Sequence, residues 1–361
     1  MSEGAKDAKR IAVIAGDGVG PEVIRQALKV LSALRDEFAV SCEWDELPYG
    51  AEHFLQTGVA LPPDEPARLA REYDALLVGA FGDPRVPDAA HARDILLRLR
   101  VELDLFINFR PARLLAPRLT PLRAVDERGI DLALFRENTE GPYSGLGAVY
   151  GQGRAEEVGI TVDVNTRRCA ERLIRAACEW AQAHRRRRVT LSDKSNAMPD
   201  AHGVWRRAFE RVGAEYPDLE REHRHVDALC MELVREPGRF EVIVAPNLVG
   251  DILSDLAAEI VGGPGLAPSA NLHPGRVGLF EPVHGSAPAL AGRDVANPFA
   301  AILSLALCLD ALGWNEAAAA VRASVADAVE GGETTRDLGG SLGTEASGDW
   351  VAERVPRHLP S

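Results

Sequence analysis

The stretch FEVIVAPNLVGDILSDLAAEI, residues 240–260, passes directly from a short β-rich apolar run into a segment with helical periodicity. The rest of the chain repeats that pattern. RIAVIAG, DALLVGAFG, DLFINF, DLALF and RVTLS alternate with longer helix-period segments such as PEVIRQALKVLSALRDEF and RRCAERLIRAACEWAQAH. Such alternation implies α/β architecture with a largely parallel core sheet. The same stretch raises a question of charge. Asp251, Asp255 and Glu259 fall four residues apart, so on a helix they stack along one face and repel one another. Something should offset that repulsion.

The 361 residues are 46% hydrophobic, enough for a sizeable core in one large domain or two ordinary ones. The net charge of −13 argues against nucleic acid or an anionic membrane as partner, and an anionic substrate therefore needs a local basic pocket. Cys42, Cys169, Cys178, Cys230 and Cys308 are odd in number and lack C-x-x-C spacing, which indicates neither a disulfide framework nor a zinc cluster and fits a reducing cytoplasm. MSEGAKDAKR carries no apolar signal core, and no run of 18 apolar residues follows, so the expectation is neither export nor membrane. Pro and Gly cluster at PRVPDAAH, RPARLLAPRLTP, NTEGPYSGLGAVYGQG and GGPGLAPSANLHPG, which mark functional loops and crossings between subdomains.

AVIAGDGVGPEVI, residues 12–24, looks at first like a dinucleotide-binding turn. Its spacing is G-x-G-x-G with Pro21 at the first helical position, so a tight strand-to-helix turn is the better reading. Other polar groups bear on the acidic helix. Asp227 lies in HVDALCMEL, where solubility does not require a carboxylate, and with Asp251 and Asp255 it could form an oxygen-rich site for Mg²⁺ or Mn²⁺. The plainer alternative makes Asp251 a residue favoured by the helix dipole and Asp255 merely exposed. Arg100, Arg110 and Arg136 end elements expected to neighbour one another, and guanidinium forks bind carboxylates.

Five motifs now resemble a known family: NLVGDILSDLAAEIVGGPGLAPSANL, LFEPVHGSAPALAGRDVANP, GDGVGPE, RENTEGPYSG and SDKSN. They resemble the β-decarboxylating dehydrogenases, which include isopropylmalate, isocitrate, homoisocitrate and tartrate/malate dehydrogenases, and the match covers nearly the whole chain in order. The resemblance implies an isopropylmalate/isocitrate dehydrogenase-like fold, a twisted mixed sheet with flanking helices in two domains. Residues 1–105 plus 262–361 would form the large cofactor-binding domain. Residues 106–261 would form a smaller domain with the metal and substrate residues and a dimerisation arm. By the same resemblance Asp251 and Asp255 bind the metal, joined by Asp227 from the partner of a homodimer with shared active sites. Arg100, Arg110 and Arg136 clamp the substrate's carboxylates, and Tyr143 and Lys194 form the acid/base pair, the lysine again from the partner.

The implied reaction is oxidation of a 2-hydroxy acid followed by loss of its β-carboxylate. Lys194 takes the hydroxyl proton, Mg²⁺ or Mn²⁺ polarises the oxygen, and Tyr143 protonates the enolate. The implied cofactor residues are Asn196 near the nicotinamide, His284 and Asn297 at the adenine, and the close backbone of Gly285, Ser286 and Ala287. NAD-using relatives carry Asp-Ile after GSAP and some NADP-using ones Lys-Tyr. Here Ala289 and Leu290 stand there, so NAD is favoured over NADP with only modest discrimination. Leu96 and Leu97 match the apolar pair that receives the isopropyl group, or else simply fill core. Two departures keep other 3-alkyl- or 3-arylmalates, tartrate/D-malate and homoisocitrate in view: RENTEGPYSG in place of RELTGG, and Arg93 where an acidic residue is expected. A non-catalytic regulatory subunit is the remote alternative, since every catalytic group survives.

Overall fold

A computed structural model describes residues 8–38 and 40–358, so the reading of the first residues lies mostly outside it. In chain order the strands are β1 (Lys9–Gly16), β2 (Cys42–Glu46), β3 (Ala75–Ala80), β4 (Ile107–Arg113), β5 (Asp131–Glu137), β6 (Gly147–Tyr150), β7 (Val158–Thr161), β8 (Arg188–Asp193), β9 (Glu220–His225), β10 (Val242–Ala245), β11 (Pro268–Leu272) and β12 (Gly278–Pro282). The helices are α1 (Gly20–Glu37), α2 (Ala51–Thr57), α3 (Glu65–Glu72), α4 (Ala90–Glu102), α5 (Arg167–Ala183), α6 (Pro199–Gly213), α7 (Val226–Arg235), α8 (Asn247–Glu259), α9 (Phe299–Ala311), α10 (Asn315–Gly331) and α11 (Thr344–Arg354).

The chain divides into two compact units, residues 1–103, 115–120 and 262–361, and residues 104–114 and 121–261. In the first, the strand order is β2-β1-β3-β12-β11. All neighbours are parallel except the β11–β12 hairpin. In the second, the order is β4-β5-β10-β8-β9, antiparallel at β4–β5 and parallel from β5 onward. The sheets are therefore largely parallel, as the alternation predicts, and mixed through the antiparallel β11–β12 and β4–β5 pairs, as the family resemblance implied. The six β-rich runs all form strands. β2 and β9, with sequences CEWDE and EREHRH, carry too many charges to show the apolar alternation that marks a strand.

Local chemistry explains the helix starts. Thr166 caps α5 by accepting from the Cys169 amide at 3.2 Å. The early glycine turn leads into α1 at Gly20 with proline in its first turn. Its glycines serve close packing. A Cβ on Gly16 would lie 2.2 Å from the Ala80 carbonyl oxygen, and one on Gly18 would lie 2.0 Å from that of Ser286. Asp17 ties the turn to its unit by accepting from the amides of Ala51 and Gly82 at 2.6 and 2.8 Å, with His91 Nε2 2.7 Å away.

The core of the second unit gathers Leu132 and Leu134 of β5, Ile243 of β10, Leu229 and Leu233 of α7, and Leu253 and Ala257 of α8. Burying that apolar surface holds α8 against the sheet and turns its acidic stripe away from the core. Among the described residues, no helix is long and apolar enough to cross a membrane.

Candidate active site

The β4–β5 register fixes two of the three arginines. Asn108 pairs with Arg136 and Arg110 with Leu134, so Arg110 and Arg136 stand diagonally on one face of the antiparallel pair. α8 packs on that face, and Gly250 permits its approach. A Cβ there would lie 2.7 Å from the Cβ of Arg136. The buried Arg136 guanidinium donates from Nε and Nη2 to Asn247 Oδ1 at 3.0 and 2.8 Å, and from Nη1 to Asp251 Oδ1 at 2.5 Å. Asn247 in turn donates to the Glu140 carbonyl at 2.7 Å.

Asp251 is the pivot of this cluster. Its second oxygen accepts from Tyr143 Oη at 2.9 Å. Arg110 Nη1 lies 3.7 Å from Asp251 Oδ1 and 3.6 Å from Asp255 Oδ1, and donates to Ser254 Oγ at 2.6 Å. Two guanidiniums thus offset the repulsion along the α8 stripe. Burial first, and the Asp251 charge second, push the Tyr143 phenol above its ordinary range, so it keeps its proton at neutral pH. Partial desolvation also raises the Asp255 carboxyl against the pull of Arg110, although 69% of that side chain is exposed. Asp251 and Asp255 offer hard oxygen donors one helical turn apart, a set that suits Mg²⁺ or Mn²⁺.

Lys194 and Asp227 form a separate pair. Lys194, just after β8, donates to Asp227 Oδ1 at 2.7 Å, and that bond is the chief cause of the lowered Asp227 carboxyl. Asp227, Asp251 and Asp255 do not converge as a three-carboxylate group among the described residues. Asn196 is exposed in the turn before α6.

The remaining expected residues belong to the first unit. Arg100, at the end of α4, donates to the buried Glu281 at 2.9 Å, while its Nε has no partner among the described residues. On the same helix Ile95 and Leu99 fill the core, and Leu96 and Leu97 are only half-buried. In the loop after β12, the Ser286 carbonyl accepts from the Val19 amide at 2.8 Å, so the early glycine turn supports this loop. Ala287 adopts a φ of 37°, left-handed backbone unusual for a residue with a Cβ. His284 Nε2 is buried without a partner among the described residues, and burial lowers its imidazole into the neutral form. That orphaned nitrogen fits a nucleotide base. Asn297 is otherwise engaged, donating to Asp337 at 2.9 Å and accepting the Phe299 amide at 3.0 Å where α9 begins. Ala289 and Leu290 are exposed, and Arg293 Nη1 lies 3.4 Å from the Ala289 carbonyl.

Sequence reasoning passed over Asn247, Gly250 and Ser254, which make the cluster possible. The polar residues of RENTEG also serve the fold. Asn138 donates to the Leu105 carbonyl at 2.8 Å, and buried Glu137 accepts from the amide and hydroxyl of Thr139 at 2.9 and 2.8 Å.

A family model described as isocitrate/isopropylmalate dehydrogenase matches residues 10–355. A 3-isopropylmalate dehydrogenase of Thermobifida fusca is 43% identical over 348 residues, 96% of this chain and 97% of that one. One of Clavibacter sepedonicus is 47% identical over 324 residues, 88% and 90% of the two chains. Among solved structures, isocitrate dehydrogenase from Methylococcus capsulatus superposes with a TM-score of 0.87 at 34% identity, covering 96% of this chain and 99% of that one.

Proposed function

The chain belongs to the isocitrate/isopropylmalate dehydrogenase family, and on that premise we propose that it oxidatively decarboxylates a 3-substituted malate, with 3-isopropylmalate as preferred substrate and NAD as oxidant. The observation that carries the reading is Asp251, held between Arg136, Arg110 and Tyr143 with Asp255 one turn away. Asp251 and Asp255 would hold a divalent ion, Mg²⁺ or Mn²⁺, which would supply Lewis-acid chemistry toward the substrate's oxygen. NAD, taken up at the loop of His284 to Leu290, supplies the hydride acceptor. Arg110 and Arg136, already aimed by Ser254 and Asn247, grip the substrate's carboxylates. Tyr143 enters protonated and donates that proton to the carbon left when CO₂ departs. Lys194 accepts the hydroxyl proton. Arg100, Leu96 and Leu97 are assigned to the substrate on the family pattern.

The protein works as a homodimer in this reading. Large apolar side chains stand exposed on α7 and α8 (Met231 60%, Ile252 54%) and on the β6–β7 hairpin (Tyr150 61%, Val149 57%), more than an isolated surface leaves to water. Lys194 and Asp227, paired apart from Asp251, are then offered to the partner's site. Five free cysteines support a reducing, cytoplasmic setting.

The half-buried leucines favour an apolar substituent over the third carboxylate of isocitrate, whose burial there would be costly. A panel of 3-isopropylmalate, other 3-alkyl- and 3-arylmalates, D-malate, tartrate, isocitrate and homoisocitrate with Mg²⁺ and NAD tests the assignment. 3-Isopropylmalate should give the highest kcat/KM. Isocitrate exceeding every 3-alkylmalate would overturn it.

A further inference from the structure

Strand β9 places Arg221, His223 and His225 on one face and Glu222 and Arg224 on the other. The second face is committed to ion pairs, with Glu222 accepting from Arg239 at 2.7 Å and Arg224 donating to Glu232 at 3.1 Å. On the first face the parallel register sets Asp193 of β8 opposite His225, and Leu191 opposite His223. His223 Nε2 lies 3.0 Å from Asp193 Oδ1, and the two imidazole rings stand 4.9 Å apart, edge to face. One ligating atom from each of Asp193, His223 and His225 lies within 4.8 Å of the other two.

Two further observations point to a ligand. Asp193 is fully buried, and while its Oδ1 also accepts the Ser195 amide at 2.8 Å, its Oδ2 has no hydrogen-bond partner among the described residues. A buried carboxylate oxygen left unsatisfied is costly, and a cation is the natural partner for it. His223 also lines a cavity of about 430 Å³ with Leu191, Arg206, Phe209, Glu210 and Arg221, which leaves open space beside one of the three groups.

We propose that Asp193, His223 and His225 form a second divalent-metal site, one that takes Zn²⁺. Two imidazoles and one carboxylate make a Zn²⁺ ligand set that leaves a position for water, whereas the all-oxygen pair of Asp251 and Asp255 suits harder ions. The two sites therefore sort metals by ligand softness. An ion at the second site ties together the ends of β8 and β9, from which Lys194 and Asp227 follow directly. The absence of C-x-x-C spacing hid the site, because its ligands are histidines and a carboxylate on two strands 30 residues apart in sequence.

The test is Zn²⁺ titration calorimetry on the full chain, stripped of metal and held in excess Mg²⁺, with Co²⁺ absorption as a second readout of nitrogen coordination. Wild type and Asp251→Asn should each bind Zn²⁺ at one site per chain with the same affinity. His225→Ala and the milder His223→Gln, each confirmed as folded by circular dichroism, should weaken binding roughly a hundredfold. Zn²⁺ should raise the Tm of wild type and leave that of His225→Ala unchanged. No binding in excess Mg²⁺, or equal binding by wild type and both histidine variants, would overturn the proposal. So would weakening by Asp251→Asn alone.

Discussion

The cluster around Asp251 and the loop at residues 284–297 are built on opposite electrostatic terms. In the first, two guanidiniums, a phenol and two carboxylates are already paired, so charge is placed before any substrate arrives. In the second, the segment from Gly285 to Leu290 carries no charged side chain, and Arg293 Nη1 lies 3.4 Å from the Ala289 carbonyl. Preorganised charge favours one reaction and tolerates little change. A neutral loop binds by shape and backbone, and its choice between cofactors stays easy to alter.

That contrast breaks if the cluster proves tolerant. Asp251→Asn should lower kcat by about 10²–10³-fold or more, since it removes the anion facing both arginines and, on the proposed reaction, a metal carboxylate. Circular dichroism should show the fold intact. Mixing this variant with Lys194→Ala under subunit exchange should restore part of the activity, because one site of each heterodimer carries neither lesion. No recovery despite demonstrated exchange would contradict shared sites.

The loop offers the converse test with a smaller effect. Ala289→Asp adds the carboxylate that NAD-using relatives carry, and a charged hydrogen bond of about 1.5–3 kcal/mol corresponds to roughly ten- to hundredfold in affinity. KM for NAD should fall by about the lower of these factors, and NADP use should be suppressed. A wild-type preference for NADP of about a hundredfold, some 2.7 kcal/mol, would show that a cation such as Arg293 reaches the 2′-phosphate.

The smallest effect concerns protons. Because burial and Asp251 raise the Tyr143 phenol, its hydrogen bond contributes fully below the ordinary tyrosine value and is lost only as pH rises through the raised one. The wild-type minus Tyr143→Phe difference in phenolate absorbance should therefore titrate above pH 10. A midpoint at or below the ordinary value would sink the protonated-donor role.

Sequence reading recovered whatever carries its chemistry in residue type. The apolar strands, the amphipathic helices, and Asp251, Asp255, Arg110 and Arg136 as a cluster of opposite charges are legible for that reason, whereas Tyr143 entered only through the family resemblance. Strand β9 was missed because EREHRH lacks apolar alternation, and the β6–β7 hairpin because all its residues are exposed. Asn247 and Gly250 look like ordinary helix residues until β5 passes beneath them. The Lys194–Asp227 bond and the Asp193–His223–His225 cluster depend on the pairing of β8 with β9, and no local pattern announces that pairing.

The central claim is that the Asp251 cluster runs a metal-dependent oxidative decarboxylation. The most direct measurement follows NADH and CO₂ together, from 3-isopropylmalate and NAD, with saturating Mg²⁺ and then with excess chelator. With Mg²⁺ the two products should form in equal amounts, and chelator should abolish both until Mg²⁺ is restored. Undiminished turnover in chelator, or NADH formed without CO₂, would contradict the account.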